Sequence, residues 1–138
     1  MSTLFLDASA ILAAFDADDE FHDPARTILT DPAATLASLD LARYEVANVA
    51  VRAWKAPEHV PPLLAAIERI AGDGGVLPST NALLTSAARL AEEHGISVYD
   101  ASYVAAARQS GSTLVSCDFR DLIGKGLACS PANARPHL

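Results

Sequence analysis

The sequence predicts an α/β fold in which helices cover both faces of a central, mostly parallel sheet, giving a three-layer α/β/α sandwich. Two observations lead to this fold class. Short apolar runs of strand length alternate five times with helical stretches along the 138 residues. The chain also contains no internal repeat, low-complexity tract or long linker. Residues 1–138 are therefore expected to form a single domain.

Five short apolar runs are predicted to be strands because each is bounded by a turn residue or by a helical stretch. In chain order they are Thr3–Asp7, Thr35–Leu39, Val76–Pro78, Ile96–Val98 and Ser112–Ser116. Leu127–Cys129 is expected to add a last strand at the edge. Parallel strands end at the same edge of the sheet, and ligand sites in such folds lie at that edge, where the strand order reverses.

Six helices are predicted, and capping residues set several of their limits. They are Ala8–Phe15, Asp23–Leu29, Asp40–Trp54, Leu63–Ala71, Thr80–His94 and Ala101–Gln109. Asp40 is expected to cap the third helix, and Gly95 and Gly111 to end the last two. The glycine-rich run Gly72–Gly75 is predicted to be a turn.

Apolar residues at helical spacing predict the face that the third helix turns to the core. They are Leu41, Tyr44, Ala47, Val51 and Trp54. Glu45, Asn48 and Arg52 then share an adjoining stripe. That stripe is either exposed to solvent or faces the ends of the strands, in which case Glu45 lies over the aspartates there.

Composition excludes several classes of protein. No apolar run approaches the roughly 18 residues that a membrane span needs, and the first residues lack the basic region of a signal peptide. Two cysteines cannot form a disulfide framework or a four-ligand zinc site. We therefore expect a cytoplasmic protein without a membrane partner. A net charge of −7 by itself argues against nucleic acid, unless some carboxylates surround a metal ion.

Aspartates stand at the ends of three predicted strands: Asp7, Asp100 and Asp118, with Asp121 three residues further on. Each alone is explained equally well as a helix N-cap, and Asp118–Asp121 resembles a capping box. Gathered at one edge of a parallel sheet, however, like charges raise one another's pKa or require a cation between them. Sites made only of oxygen ligands suit Mg²⁺ or Mn²⁺. Ser9 and Ser116 lie two residues from an aspartate, where a hydroxyl can hold a carboxylate or a water in place.

Four short motifs together resemble the PIN-domain family, and within it the VapC-type toxins of bacterial toxin–antitoxin pairs. They are Leu6–Ser9 (LDAS), Tyr44–Asn48 (YEVAN), Tyr99–Tyr103 (YDASY) and Leu114–Asp118 (LVSCD). The resemblance covers nearly the whole chain, and its specificity comes from the order and spacing of the four motifs.

The resemblance implies a compact α/β/α sandwich that acts as a metal-dependent endoribonuclease. Asp7, Glu45, Asp100 and Asp118 match the acidic quartet of the family, which would hold one or two Mg²⁺ (or Mn²⁺) ions. Ser9 and Ser116 match its accompanying hydroxyl positions, although threonine is commoner in place of the second serine. Asp121 falls where some members carry a further acid. Such toxins usually form homodimers and are held inactive by a cognate antitoxin whose tail enters the acidic groove.

Cations near the site are candidate phosphate contacts for an RNA substrate: Arg43, Arg52, Arg120 and Lys125. Each is equally explained as an ordinary surface charge. Two other functions stay open. A PIN-like scaffold that only binds a partner would not need divalent metal. A phosphoaspartyl or receiver-type domain also ends a strand in aspartate, but this chain has Ser9 where a second acid would stand and lacks the paired acids and lysine of a receiver.

Overall fold

The sheet is built around its N-terminal strand. The computed structural model describes residues 3–73 and 75–134, and in it four parallel strands lie in the order β3-β2-β1-β4. They are β1 (Thr3–Leu6), β2 (Thr35–Leu39), β3 (Val76–Leu77) and β4 (Thr113–Val115). Leu4 pairs with Leu36 on one side and with Thr113 on the other, so β1 is hydrogen-bonded along both edges. The predicted parallel α/β sheet is confirmed.

Six α-helices connect the strands, and shorter helical turns lie near them. The α-helices are α1 (Ala8–Ala13), α2 (His22–Thr30), α3 (Leu41–Arg52), α4 (Val60–Asp73), α5 (Asn81–His94) and α6 (Val98–Gln109). The shorter turns are 3₁₀ at Pro57–His59 and Pro131–Asn133 and π-helical at Phe119–Ile123. Within the described ranges, no helix combines the length and the apolar character that crossing a membrane requires.

The strand order fixes where a site can form. From β1 the chain moves outward through β2 to β3, then returns past both to β4 on the other side of β1. Because parallel crossovers are right-handed, this reversal places α5 and α6 on the face opposite the earlier helices. The contacts agree, since α1 to α4 pack largely against one another while α5 packs on α6, which lies against β4 and β2. The order reverses between β1 and β4, so the site is expected there.

The predicted strand at Ile96–Val98 is wrong. Gly95 ends α5 in the left-handed conformation, and α6 begins directly at Val98. Ser97 is the N-cap, and its hydroxyl accepts a hydrogen bond from the Asp100 backbone N–H at 3.0 Å. Ser97 and Asp100 have the spacing of a capping box, and this local signal outweighs a brief apolar alternation. Asp100 therefore lies in the first turn of a helix and not at a strand end.

The predicted core face of α3 is correct only at its two ends, where Leu41 and Trp54 are partly buried against the core. The fully buried residues are Ala42, Val46 and Ala50, whereas Tyr44 is 78% exposed and Val51 48% exposed. Small side chains let α3 approach α1 and α4 closely, so Tyr44 and Val51 are left outside.

Three smaller predictions differ from the structure. At Leu127–Cys129 only Cys129 pairs, through a single parallel bridge to Val115. The predicted turn at Gly72–Gly75 includes Gly74, which lies outside the described residues, while Gly72 belongs to α4. Asp40 precedes α3 but makes no capping hydrogen bond with its side chain. Instead its carboxylate accepts hydrogen bonds from the backbone N–H and hydroxyl of Ser79, which ties the end of β2 to the segment after β3.

Candidate active site

Asp7 occupies the point where the strand order reverses. Its backbone N–H donates to the Val115 carbonyl at 3.2 Å, so it directly follows the pairing of β1 with β4. Its side chain is only 4% exposed. Oδ1 accepts hydrogen bonds from the Ala10 N–H at 3.0 Å, as an N-cap does, and from the Ser9 hydroxyl at 2.6 Å. Asp7 can therefore cap α1 and belong to an acidic site at the same time.

Two serine hydroxyls join the segments that follow β1 and β4. The Oγ atoms of Ser9 and Ser116 lie 3.3 Å apart. Ser9 Oγ accepts from the Cys117 N–H at 2.9 Å, and Ser116 Oγ accepts from the Asp118 N–H at 3.0 Å. The hydroxyls thus fix the backbone that carries the aspartates on either side.

Within the described ranges, Asp100, Asp118 and Asp121 form a close group of carboxylates. One oxygen from each lies within 4.8 Å of the others. Asp118 caps the π-helical turn that follows it, since its Oδ1 accepts from the Asp121 N–H at 3.0 Å. Asp100 joins them from the first turn of α6. Sequence reasoning gave Asp121 only a supporting place, yet it lies as close to the other two as a ligand would.

Glu45 reaches the site from α3 and is held by a buried tyrosine. The Tyr103 hydroxyl donates to Glu45 Oε1 at 2.6 Å. Glu45 Oε2 has no hydrogen-bond partner in the described part of the chain. The sequence analysis named Tyr103 only as the last residue of the YDASY motif and gave it no contact, although its position three residues after Asp100 places it on the same face of α6.

The acids lie close enough together for their charges to influence one another. Burial raises the pKa of Asp7 to about 6, although hydrogen bonds from Ser116 and Ser9 act in the opposite direction. The pKa of Asp100 also rises to about 6, first through burial and then through the charges of Asp118 and Asp7. Burial raises the pKa of Glu45, and the charge of Asp100 adds to the effect. Only Asp121 shifts downward among these shifted acids, because Arg120 donates to it.

The donor set fits a hard divalent cation. Every candidate ligand is a carboxylate oxygen, and three of them converge from two separate segments of the chain. Burial in the first place, and neighbouring carboxylates in the second, raise the pKa values of Asp7 and Asp100. A Mg²⁺ or Mn²⁺ ion would supply the positive charge that these residues lack.

The four candidate phosphate contacts differ in how far they are already engaged. Arg43 pairs with Glu68 at 2.9 Å, and Arg120 pairs with Asp121 at 3.1 Å. Lys125 donates to the carbonyl of His94 at 2.6 Å, at the end of α5. Arg52 is exposed on α3 and makes no ion pair within the described residues.

Comparison with known proteins agrees with this geometry. The model of the PIN domain matches residues 4–123. Ribonuclease VapC3 of Pyrobaculum aerophilum is 34% identical over 119 residues, which cover 83% of this chain and 88% of that protein. Among solved structures, PAE2754 from Pyrobaculum aerophilum is 27% identical with a TM-score of 0.67, covering 95% of this chain and 85% of that one. A chain of a toxin–antitoxin complex from Klebsiella pneumoniae also has a TM-score of 0.67, at 17% identity over 94% of this chain and 98% of its own. The chain therefore belongs to the PIN domain family.

Proposed function

We propose that the chain is the toxin of a type II toxin–antitoxin pair and acts as a metal-dependent endoribonuclease. The observation that carries the proposal is the convergence of Asp100, Asp118 and Asp121 at the edge of the sheet where the strand order reverses. Asp7 and Glu45 add two further acids beside them. The name of the relative VapC3, a ribonuclease, supports RNA as the substrate.

Asp7, Glu45, Asp100 and Asp118 would hold one or two Mg²⁺ or Mn²⁺ ions, and Asp121, which has a carboxylate oxygen within 4.8 Å of those of Asp100 and Asp118, would be a further ligand. When bound, the metal supplies Lewis-acid activation of water and neutralises charge on the phosphodiester. Asp7 also fixes the start of α1, since its carboxylate accepts a hydrogen bond from the Ala10 N–H. Ser9 and Ser116 keep the two aspartate-bearing segments at a constant separation. Of the four candidate cations, Arg52 makes no ion pair with the described residues and would be available to a phosphate, whereas the other three would have to exchange partners first.

The proposed partners follow from charge and exposed surface. A cognate antitoxin with a basic segment suits the acidic site, and a structural neighbour of the chain comes from a toxin–antitoxin complex. A homodimer is supported by the exposed apolar side chains of α3 and α6, where Tyr44, Val51 and Tyr99 line one groove. We place this pair in the cytoplasm, with residues 1–138 as one PIN-like domain.

The test is RNA cleavage by the purified, antitoxin-free chain. Structured RNAs, including transfer RNAs, are incubated with Mg²⁺, with Mn²⁺ and with a chelator. We expect site-selective cleavage that requires metal and falls by at least about 100-fold in Asp100→Asn, which removes one ligand charge. Asp18→Asn, in the exposed loop after α1, is the matched control and should cleave like the wild type.

Two negative results would have different meanings. Metal binding without cleavage of any RNA in the panel would contradict a broad ribonuclease and point to a single narrow substrate. If the wild-type protein neither binds metal nor cleaves RNA, the catalytic proposal is refuted and the non-catalytic partner-binding scaffold is favoured.

A further inference from the structure

The side chain of Tyr103 combines two properties that core packing alone does not explain. It is only 2% exposed, yet its hydroxyl makes a 2.6 Å hydrogen bond to a carboxylate of the candidate site. A phenylalanine would fill the same space without introducing a polar group that needs a partner. The role of the hydroxyl therefore lies in its hydrogen bond to Glu45.

The bond connects two helices that lie on different parts of the sheet. Glu45 belongs to α3, whereas Tyr103 follows Asp100 by three residues on α6. Asp100 and Tyr103 consequently share one face of α6. Through the hydroxyl, the position of Glu45 is set relative to the helix that supplies Asp100.

The bond also determines which oxygen of Glu45 is available. Oε1 accepts the hydrogen from Tyr103, and Oε2 has no partner within the described ranges. Glutamate has three rotatable side-chain bonds, so an untethered carboxylate on α3 would sample several positions. A donor that occupies Oε1 limits these positions and leaves Oε2 as the free ligand atom.

We propose that Tyr103 is a positioning residue, which holds Glu45 so that its second carboxylate oxygen faces the site formed by Asp100, Asp118 and Asp121. This inference rests on the proposed metal-dependent function. It goes beyond that function by assigning a role to a residue outside the acidic set. Tyr103 acts through Glu45 and is not expected to touch metal or RNA.

The first measurement is metal binding by the RNA-free protein. Mn²⁺ is titrated into the wild type, Tyr103→Phe and Thr85→Val by calorimetry. Tyr103→Phe keeps the buried ring and deletes only the hydroxyl, so we expect it to remain folded and to bind Mn²⁺ about 10- to 100-fold more weakly. Thr85→Val is the control, because it removes an exposed hydroxyl from α5, which supplies none of the candidate acids. Its affinity should equal that of the wild type.

The second measurement asks whether the effect passes through Glu45. In Glu45→Gln the carboxylate is already lost, so adding Tyr103→Phe should change Mn²⁺ affinity by no more than about 2-fold. In cleavage assays, Tyr103→Phe should raise the half-saturating Mn²⁺ concentration and recover most of its activity at saturating metal. A defect confined to folding would instead appear equally in the wild-type and Glu45→Gln backgrounds.

The outcomes separate this inference from the proposed function. Wild-type protein that binds Mn²⁺ and cleaves RNA, together with a Tyr103→Phe variant of unchanged affinity, would overturn the inference alone. Equal losses from Tyr103→Phe in the wild-type and Glu45→Gln backgrounds would also overturn it. Failure of the wild type to bind Mn²⁺ would refute the proposed function and, with it, this role for Tyr103.

Discussion

Asp7 illustrates how a single residue can serve the site at the expense of the fold. Its carboxylate is buried beside other acids, and burial raises its pKa from 3.8 to about 6. At neutral pH the folded chain without metal must therefore keep a charge where a neutral group would be more stable. Such an arrangement is common at functional sites, where stability is lower than the packing alone would allow.

The pKa of Asp7 predicts how the stability of the metal-free protein depends on pH. The folded state binds the proton more tightly than the unfolded state, so the free energy of unfolding falls as the pH rises from about 4 to about 6 and is then constant. A shift of about two units corresponds to a loss on the order of 3 kcal/mol. Asp7→Asn keeps an acceptor for the Ala10 N–H without the charge. Above pH 6 and in chelator, we expect this variant to be more stable than the wild type.

The free energy of unfolding of both proteins is measured in urea between about pH 4.5 and 7.5, at intervals of roughly half a pH unit. The difference between the two curves is the contribution of Asp7. Asp100 also has a raised pKa, so a residual slope will remain in Asp7→Asn. Asp18→Asn serves again as the exposed control. Parallel curves for Asp7→Asn and the wild type would show that Asp7 does not carry this proton.

The start of α6 shows how one element can stabilise the fold and position a site residue together. Ser97 caps α6 through the Asp100 N–H, so the hydrogen bond that starts the helix also fixes the backbone of a candidate ligand. Thr80 caps α5 in the same way, through the Leu83 N–H at 3.1 Å, in an element that supplies none of the candidate acids. The two caps therefore form a matched pair.

Removing these caps should separate stability from metal binding. Ser97→Ala and Thr80→Ala should each lower the free energy of unfolding by about 1 kcal/mol. Only Ser97→Ala should also weaken Mn²⁺ binding, because Asp100 loses its anchor, and Ser97→Thr should restore both properties. Chemical denaturation and calorimetry on the same samples provide the comparison. Equal metal affinities in the two alanine variants would contradict the positioning role of this cap.

At the level of elements, sequence reasoning failed where two local signals competed. The apolar alternation at Ile96–Val98 predicted a strand, but the Ser97 cap defines a helix start. On α3, the larger apolar residues suggested a core face, but the buried stripe is Ala42, Val46 and Ala50. Periodicity alone cannot distinguish two apolar stripes on one helix, because the choice depends on how closely neighbouring helices approach.

At the scale of the whole molecule, the sequence predicted the parallel sheet but not the order of its strands. Alternation of strands and helices was sufficient for the fold class, and the motifs were sufficient for the family. That Asp121 lies close to Asp100 and Asp118 depends on the π-helical turn after β4, and the bond from Tyr103 to Glu45 depends on packing between helices distant in sequence. The i, i+3 spacing puts Tyr103 on the same face of α6 as Asp100, but no spacing along the chain predicts either contact. Both contacts follow only when the chain order places β4 beside β1.

The exposed groove on α3 and α6 leads to a prediction about the assembled molecule. Tyr44 and Val51 are large apolar residues on the outer side of α3, and Tyr99 lines the same groove from α6. If a second copy covers this face around a two-fold axis, each substitution is present twice in one interface. A charge introduced at position 51 would then be removed from water. It would also lie close to the same charge on the second copy.

We expect the wild type to sediment at twice the mass of the chain and Val51→Glu to dissociate at least about 10-fold more readily, which corresponds to about 1.4 kcal/mol. Glutamate is a good helix former, so α3 should stay intact. Ala65→Glu places the same charge on an exposed position of α4, away from the groove, and should leave the mass unchanged. Sedimentation equilibrium over a range of protein concentrations measures all three chains. A monomeric wild type, or equal dissociation of the two variants, would mean that this apolar face has another partner.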